Sequence, residues 1–213
     1  MSRIITISRE YGSGGRLIGK KVAEKLNYAF YDKELIDMAA QESGLAPEFI
    51  EKSEQNISSG WLYNMMLGSS YAVGTTGSTP GSSNPILPLA DQIFNAQRKV
   101  ILKLAEEKPC VIVGRCADYI LSSSGKFNEK KLLNVFICAD FNDRIERGIK
   151  YYGLPANDAK KIITQIDKRR ANHYNTFTEN EWGNRKNYEL ILNSSYFGID
   201  AAVDIICNSA GID

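Results

Sequence analysis

The residues Gly12-Ser13-Gly14-Gly15 close a short apolar run, Ile4-Ile5-Thr6-Ile7, and open a segment in which Ile18, Val22 and Leu26 recur at helical spacing. A β-branched strand that empties into a glycine-rich turn and then a helix leaves backbone N–H groups free at the helix N-terminus, where an anion is stabilised. Glycines serve any tight turn, so the four residues alone are equally a flexible turn; the flanking strand and helix tip the reading toward phosphate binding. Gly12, Ser13, Gly14 and Gly15 are therefore candidate phosphate ligands. Arg16 opens the helix and Lys20 follows four residues on, so two cations can share one face near the turn. Cations suit a helix N-terminus only when an anion is also there.

The turn departs from the full nucleotide loop, GxxxxGK[ST]. Placing the second glycine of that pattern on Gly14 puts Gly15 at the lysine and Arg16 at the serine or threonine. The nest of N–H groups survives. The point charge on the transferring phosphate and the hydroxyl that binds magnesium directly do not.

The elements that must position this turn alternate between strand and helix. Ala29-Phe30-Tyr31 is a short extended run, and Asp32 is placed to cap a helix from Lys33 to Glu42. A short helix is expected from Pro47 to about Gln55. Residues 68–85, GSSYAVGTTGSTPGSSNP, have almost no charge and no sustained period, and read as a spacer or as a segment that covers a substrate, anchored by Trp61, Tyr63 and Met65-Met66. A long helix runs from Leu89 to Glu107, followed by Cys110-Val111-Ile112-Val113, whose consecutive apolar residues suit a strand buried on both faces. That strand ends at Gly114-Arg115, where open α/β sheets place their ligands.

Leu132 to Cys138 is a further buried strand, and Asp140 is placed to cap the helix carrying Arg144 and Arg147. A helix from Asn157 to Tyr174 holds Arg169 and Arg170, Tyr188 to Asn193 is the last strand, and Ile199, Val203 and Ile206 fit a closing helix. Four or five strands with crossover helices give a mostly parallel, three-layer α/β/α sheet. Arg115 has a planar fork that suits a phosphate or a base edge, with an ordinary salt bridge as its plain alternative. Arg144, Arg147, Arg169 and Arg170 are singly solvated helix charges and together resemble a cationic lid.

A chain of 213 residues holds one sizeable core. Its 26 Lys and Arg against 25 Asp and Glu call for neither a nucleic acid polymer nor an acidic membrane. Cys110, Cys116, Cys138 and Cys207 are scattered without a CxxC pair, and with the lone His173 they read as buried thiols of a cytoplasmic protein, with no metal site. No run approaches the ~18 apolar residues of a membrane span, and the first residues read as a strand rather than a signal peptide.

Five motifs in order, SREYGSGGR (Ser8–Arg16), YDKELI (Tyr31–Ile36), VIVGRCAD (Val111–Asp118), DKRRANHY (Asp167–Tyr174) and YELILNSS (Tyr188–Ser195), resemble the cytidylate-kinase-like family of P-loop proteins. The resemblance implies one domain over 1–213 with a five-stranded parallel sheet in the order 2-3-1-4-5. It also implies a helical acceptor subdomain at 33–90, including the flexible loop 68–85, and a lid at 144–187. By position, Gly12 to Arg16, with Lys20, hold the ATP phosphates, Asp32 and Arg115 meet the acceptor, and Arg16, Arg115, Arg169 and Arg170 act on the transferred group. Arg144 follows an arginine of the helix after the fourth strand.

The expected activity is transfer of the ATP γ-phosphoryl group to a nucleoside monophosphate or related small acceptor, CMP among them. Mg2+ would be held mainly by phosphates and water. The rival is a nucleotide-binding or regulatory protein that kept the nest and lost catalysis; a plainer reading is an α/β domain with another anion. A homodimer is open to the chain.

Overall fold

Along the first strand Ile5 and Ile7 point to one side and Ile4 to the other, and all three are fully buried, which forces this strand into the middle of a sheet covered on both faces. The computed structural model describes residues 3–48, 50, 88–127 and 132–211. β1 (Ile4–Arg9), β2 (Ala29–Tyr31), β3 (Cys110–Val113), β4 (Leu132–Cys138) and β5 (Leu190–Asn193) form one parallel sheet in the order β2-β3-β1-β4-β5. Ile5 lies beside Val111 on one flank and Leu133 on the other, and Ile7 beside Val113 and Val135. The sheet order is as the family resemblance implied, and the three layers are as the alternation of strands and helices gives them.

One core lies between the sheet and the helices α1 (Gly15–Leu26) and α8 (Ile199–Ser209), where Ile5, Ile7, Ile18, Val22, Val203 and Ile206 pack together. The other lies under α3 (Leu89–Glu107), α4 (Ala117–Ser123) and α6 (Ala159–Phe177), with Ile4, Ile101, Leu104, Ile112, Ile120 and Tyr174. Further helices among the described residues include α2 (Glu34–Ser43), which packs on α3, α5 (Phe141–Tyr152) and the single turn α7 (Ser194–Phe197). The chain leaves β1 first toward β3 and β2 and only later toward β4 and β5. The loops therefore part at the carboxyl end of β1, where a ligand crevice opens.

Two caps expected from the sequence are not made. The residue flanking α2 is Lys33, and the Asp32 carboxylate instead accepts from Arg16. Asp140 flanks α5 by its backbone, but its side chain accepts from Asn193 Nδ2 at 3.1 Å. For Asp32 the charge-assisted bond to a guanidinium is stronger than one to a neutral helix amide. α4 has no counterpart among the elements read from the sequence, because seven residues are too few to show a helical period. The segment 68–85, Trp61, Tyr63, Met65-Met66 and most of the helix expected over 47–55 lie outside the described residues. All four cysteines are free thiols, three of them buried.

The side of the sheet facing α4 and α6 also buries polar groups. Thr6 Oγ1 donates to Asn134 Oδ1 (2.7 Å), Asn134 Nδ2 donates to Ser122 (3.2 Å), and the Tyr174 hydroxyl donates to Asp118 Oδ2 (2.7 Å). Asp118 is 2% exposed, and burial pushes its carboxyl up to about 6 against the pull of the Tyr174 hydroxyl and nearby amides. Tyr174 from α6, with Tyr188 and Glu189 ahead of β5, face it. A carboxyl whose folded pKa is raised contributes fully below its unfolded value near 4 and loses that contribution as pH rises through 6, a cost of about 2–3 kcal/mol at neutral pH. An amide in place of this carboxyl keeps an oxygen for Tyr174 and carries no charge. Urea unfolding of Asp118→Asn is therefore expected to show a gain over the native chain at pH 7.5 that vanishes by pH 4. An equal difference at both pH values would show that the carboxylate is not penalised by burial.

Candidate active site

The turn after β1 is built from two left-handed glycines, Gly12 at φ 78° and Gly14 at φ 80°, a conformation other residues adopt only with strain. Ser13 ties the turn to itself, its hydroxyl donating to the Glu10 carbonyl (2.8 Å). Gly14 flanks α1 without any side-chain cap. The Ile18 amide is the first to bond back into the helix, to the Gly14 carbonyl. The N–H groups of Gly12, Gly14, Arg16 and Leu17 therefore have no hydrogen-bond partner among the described residues. These are the donors that a helix N-terminus offers to an anion.

Beneath the turn, the carbonyls and carboxylates are held by arginines. Arg144, 6% exposed, donates through Nε to the Tyr11 carbonyl (2.8 Å), through Nη2 to Asp167, and pairs with Glu10 (3.2 Å). Asp167 in turn accepts from the Tyr11 amide (2.8 Å). Arg147 Nη1 reaches the Gly12 carbonyl (3.3 Å) and Ser194 Oγ (3.0 Å), while Ser194 donates to the Ser13 carbonyl (2.6 Å). Arg170 Nη1 donates to the Arg9 carbonyl (3.0 Å) and its guanidinium lies over the Tyr11 ring at 5.6 Å. Carbonyls drawn downward leave the amide side of the turn facing the crevice.

Asp32, at the end of β2, is the other hub. Its buried carboxylate accepts from Arg16 Nε (2.5 Å) and lies 3.9 Å from Arg9 Nη2, while its carbonyl accepts from Arg115 Nη1 (2.9 Å). The Asp32 bond raises the Arg16 pKa still further, so this guanidinium stays charged. Arg115 enters from a left-handed turn of three residues, Gly114 (φ 78°), Arg115 (φ 53°) and Cys116 (φ 54°). Two consecutive non-glycine residues in this region store strain of a kind that clusters at functional sites. The strain aims Arg115 from the end of β3 toward Asp32.

A cavity of about 470 Å³ opens over these groups, and Gly12, Gly14, Gly15, Arg16, Asp32, Arg115 and Arg170 line it. Arg144 and Arg147 stand behind the turn rather than in the cavity wall. Lys20 pairs with Glu24 on the outside of α1 (3.8 Å), and the Arg169 side chain forms no hydrogen bond or ion pair among the described residues. Sequence reasoning did not single out Arg9, Tyr11, Asp167 or Tyr152; Tyr152 packs on Tyr11 with ring centroids 5.3 Å apart. The signal for Arg9 was present, since it occupies the first glycine of the loop pattern. A larger cavity, about 660 Å³, starts at Leu132 and Asn134, at the amino end of β4, and contains none of the turn. Volume alone does not make it the site, because the free amides and clustered arginines are in the smaller one. Among the described residues no group of three His, Cys, Asp or Glu is placed to hold a metal ion, and no helix is long and apolar enough to cross a membrane.

Comparison with known proteins agrees with this geometry. Residues 4–196 match the model of the cytidylate kinase-like family. A solved structure of an uncharacterized protein from Eubacterium ventriosum is 26% identical, covers 99% of each chain and superposes with a TM-score of 0.68. Shikimate kinase from Bacteroides thetaiotaomicron is 14% identical over 98% of each chain (TM-score 0.54). Shikimate kinase from Acinetobacter baumannii, in complex with shikimate, is 12% identical over 100% of this chain and 97% of its own (TM-score 0.50). At these identities the two shikimate kinases show a shared fold only. No curated protein matches the chain. With the strand order, the glycine turn and the match over almost its whole length, the chain belongs to the cytidylate kinase-like family.

Proposed function

We propose that this chain transfers the γ-phosphoryl group of ATP to a small anionic acceptor, with nucleoside monophosphates, CMP among them, as the first candidates. The observation that carries the reading is one cavity in which unpartnered turn amides meet an excess of positive charge. Its wall holds Arg9, Arg16, Lys33, Arg115 and Arg170 against the carboxylates of Glu10 and Asp32. Such a surplus concentrates polyanions and stabilises charge that spreads over a transferred phosphoryl group. Two anions facing each other, a polyphosphate and an acidic acceptor, need it.

ATP supplies the phosphoryl group when bound, and Mg2+ accompanies it. The turn has no hydroxyl at residue 16 and the Asp32 carboxylate is engaged by Arg16, so Mg2+ would be held mainly by phosphates and water, with Asp32 as an outer partner. The amides of Gly12, Gly14, Arg16 and Leu17 grip the phosphates. Arg115 and Asp32, at the ends of β3 and β2, orient the acceptor. Arg170, half-buried in the cavity wall, neutralises charge on the transferred group, while Arg144 and Asp167 of the same segment 144–187 stay bonded to the turn. The acceptor oxygen forms its bond to phosphorus as the bond to the ADP oxygen breaks in line, with no covalent protein intermediate.

ADP release measured with ATP and Mg2+ over a panel of nucleoside monophosphates and nucleosides is expected to depend on one acceptor and to collapse in Arg16→Ala. In Arg115→Ala the acceptor KM should rise about tenfold or more, the usual cost of a lost charge-assisted contact, with ATP affinity nearly intact. Equal loss of both affinities in a folded Arg115→Ala would contradict its acceptor role, and ATP binding without any acceptor-dependent ADP would favour the non-catalytic reading. Arg144→Ala removes the buried cation that holds Asp167, Glu10 and the Tyr11 carbonyl, so a loss of about 3–5 kcal/mol in unfolding free energy is expected. A loss below about 1 kcal/mol, the usual value of a surface pair, would mean that Arg144 does not support the turn.

A further inference from the structure

We infer that Arg9, reaching in from the end of β1, supplies the positive charge that a lysine on α1 supplies in the usual phosphate loop. The inference rests on the proposed occupancy of the turn by a polyphosphate. Two departures from the loop pattern are coupled in space. The position of its first glycine is Arg9 and the position of its lysine is Gly15. A Cβ built on Gly15 would sit 2.6 Å from Arg9 Cβ, 3.1 Å from Arg9 Cγ and 3.3 Å from Ile137 Cβ. No side chain fits at residue 15 while Arg9 takes this path.

The backbone of Gly15 does not call for glycine, and the tightest contacts of an added Cβ are with Arg9. Gly15 is the first residue of α1 and has no positive φ, so alanine or lysine would suit its backbone as well. A second glycine clears the far end of the same side chain. A Cβ on Gly114 would fall 2.0 Å from Arg9 Nη1 and 3.0 Å from Cζ, so the guanidinium lies close against the backbone where β3 ends. From there Nη2 stands 3.9 Å from Asp32 Oδ1, and Arg9 lines the same cavity as the turn amides. The Arg9 carbonyl is fixed by Arg170 Nη1. One arginine thus runs between two glycines, from the strand end to the floor of the cavity, and delivers a permanent charge with several donors. Loop charge is moved from helix to strand, and the glycine at the lysine position is what makes room for it.

The test is binding of ATP and of inorganic tripolyphosphate to the nucleotide-free full chain by calorimetry, with melting temperatures recorded for each variant. Arg9→Gln keeps most of the stem and removes the charge, and should weaken both ligands about tenfold or more. Gly15→Lys alone should melt lower and bind worse, because its stem collides with Arg9. Arg9→Gly with Gly15→Lys, which restores the usual arrangement, should bind at least several-fold tighter than Arg9→Gln. Arg9→Gln binding within twofold of the native chain, or a double variant no better than Arg9→Gln, would overturn the role of Arg9 and leave the kinase reading standing. Failure of the native chain to bind either ligand would instead remove the polyphosphate reading on which the inference rests.

Discussion

The glycine turn depends on the buried guanidinium of Arg144. Its bond to the Tyr11 carbonyl and its pairing with Asp167 and Glu10 fix the turn from beneath, and its own backbone closes the other side. A Cβ on Gly12 would come within 2.6 Å of the Arg144 carbonyl, so the left-handed glycine and the arginine are fitted to each other. Taking this charge out of water is costly, and it is tolerated because several partners satisfy it at once. What the fold gains is preorganisation: turn amides already aimed at the crevice need no rearrangement when an anion arrives.

Two hubs of opposite geometry follow from this. Asp167, on α6, gathers Arg144 and Arg170 under the turn, while Asp32, at the end of β2, gathers Arg16 and Arg9 across the crevice and receives Arg115 on its carbonyl. Around Asp32 two guanidiniums meet one carboxylate, whereas Arg144 and Arg170 are matched by Asp167 and Glu10. The surplus at Asp32, with Arg115, lines one cavity; in the proposed function it adds charge where the loop lysine is absent, while nothing in it replaces the hydroxyl that binds magnesium. Arginine suits the task because its planar donors hold a carboxylate and still present N–H groups to a phosphate.

Much of this was legible in the sequence where local pattern and tertiary role coincide. The strand Ile4–Arg9 and the helices Gly15–Leu26 and Leu89–Glu107 follow from period and length, and the continuous apolar run Cys110–Val113 marked a strand buried on both faces. The misreadings came where a distant partner decides. Asp32 sits where a helix cap would, but Arg16 across the crevice takes its carboxylate, and Asp140 turns to Asn193. Arg144 reads along the chain as one more helix cation, and only the folded loop puts three partners around it. The exchange at Arg9 and Gly15 stands in the sequence as two letters out of place; that the two positions touch, with Gly114, nearly a hundred residues away, beside the same guanidinium, is visible only in the fold.

The most direct test of a preorganised anion nest is a titration of the nucleotide-free chain with ATP and Mg2+, followed through backbone amide resonances. The account predicts saturable shifts of the Gly12, Gly14, Arg16 and Leu17 amides at a common affinity, with the Tyr11 amide, already bonded to Asp167, moving little. Saturable binding that leaves those four amides unmoved and shifts residues around the Asn134 cavity instead would contradict it.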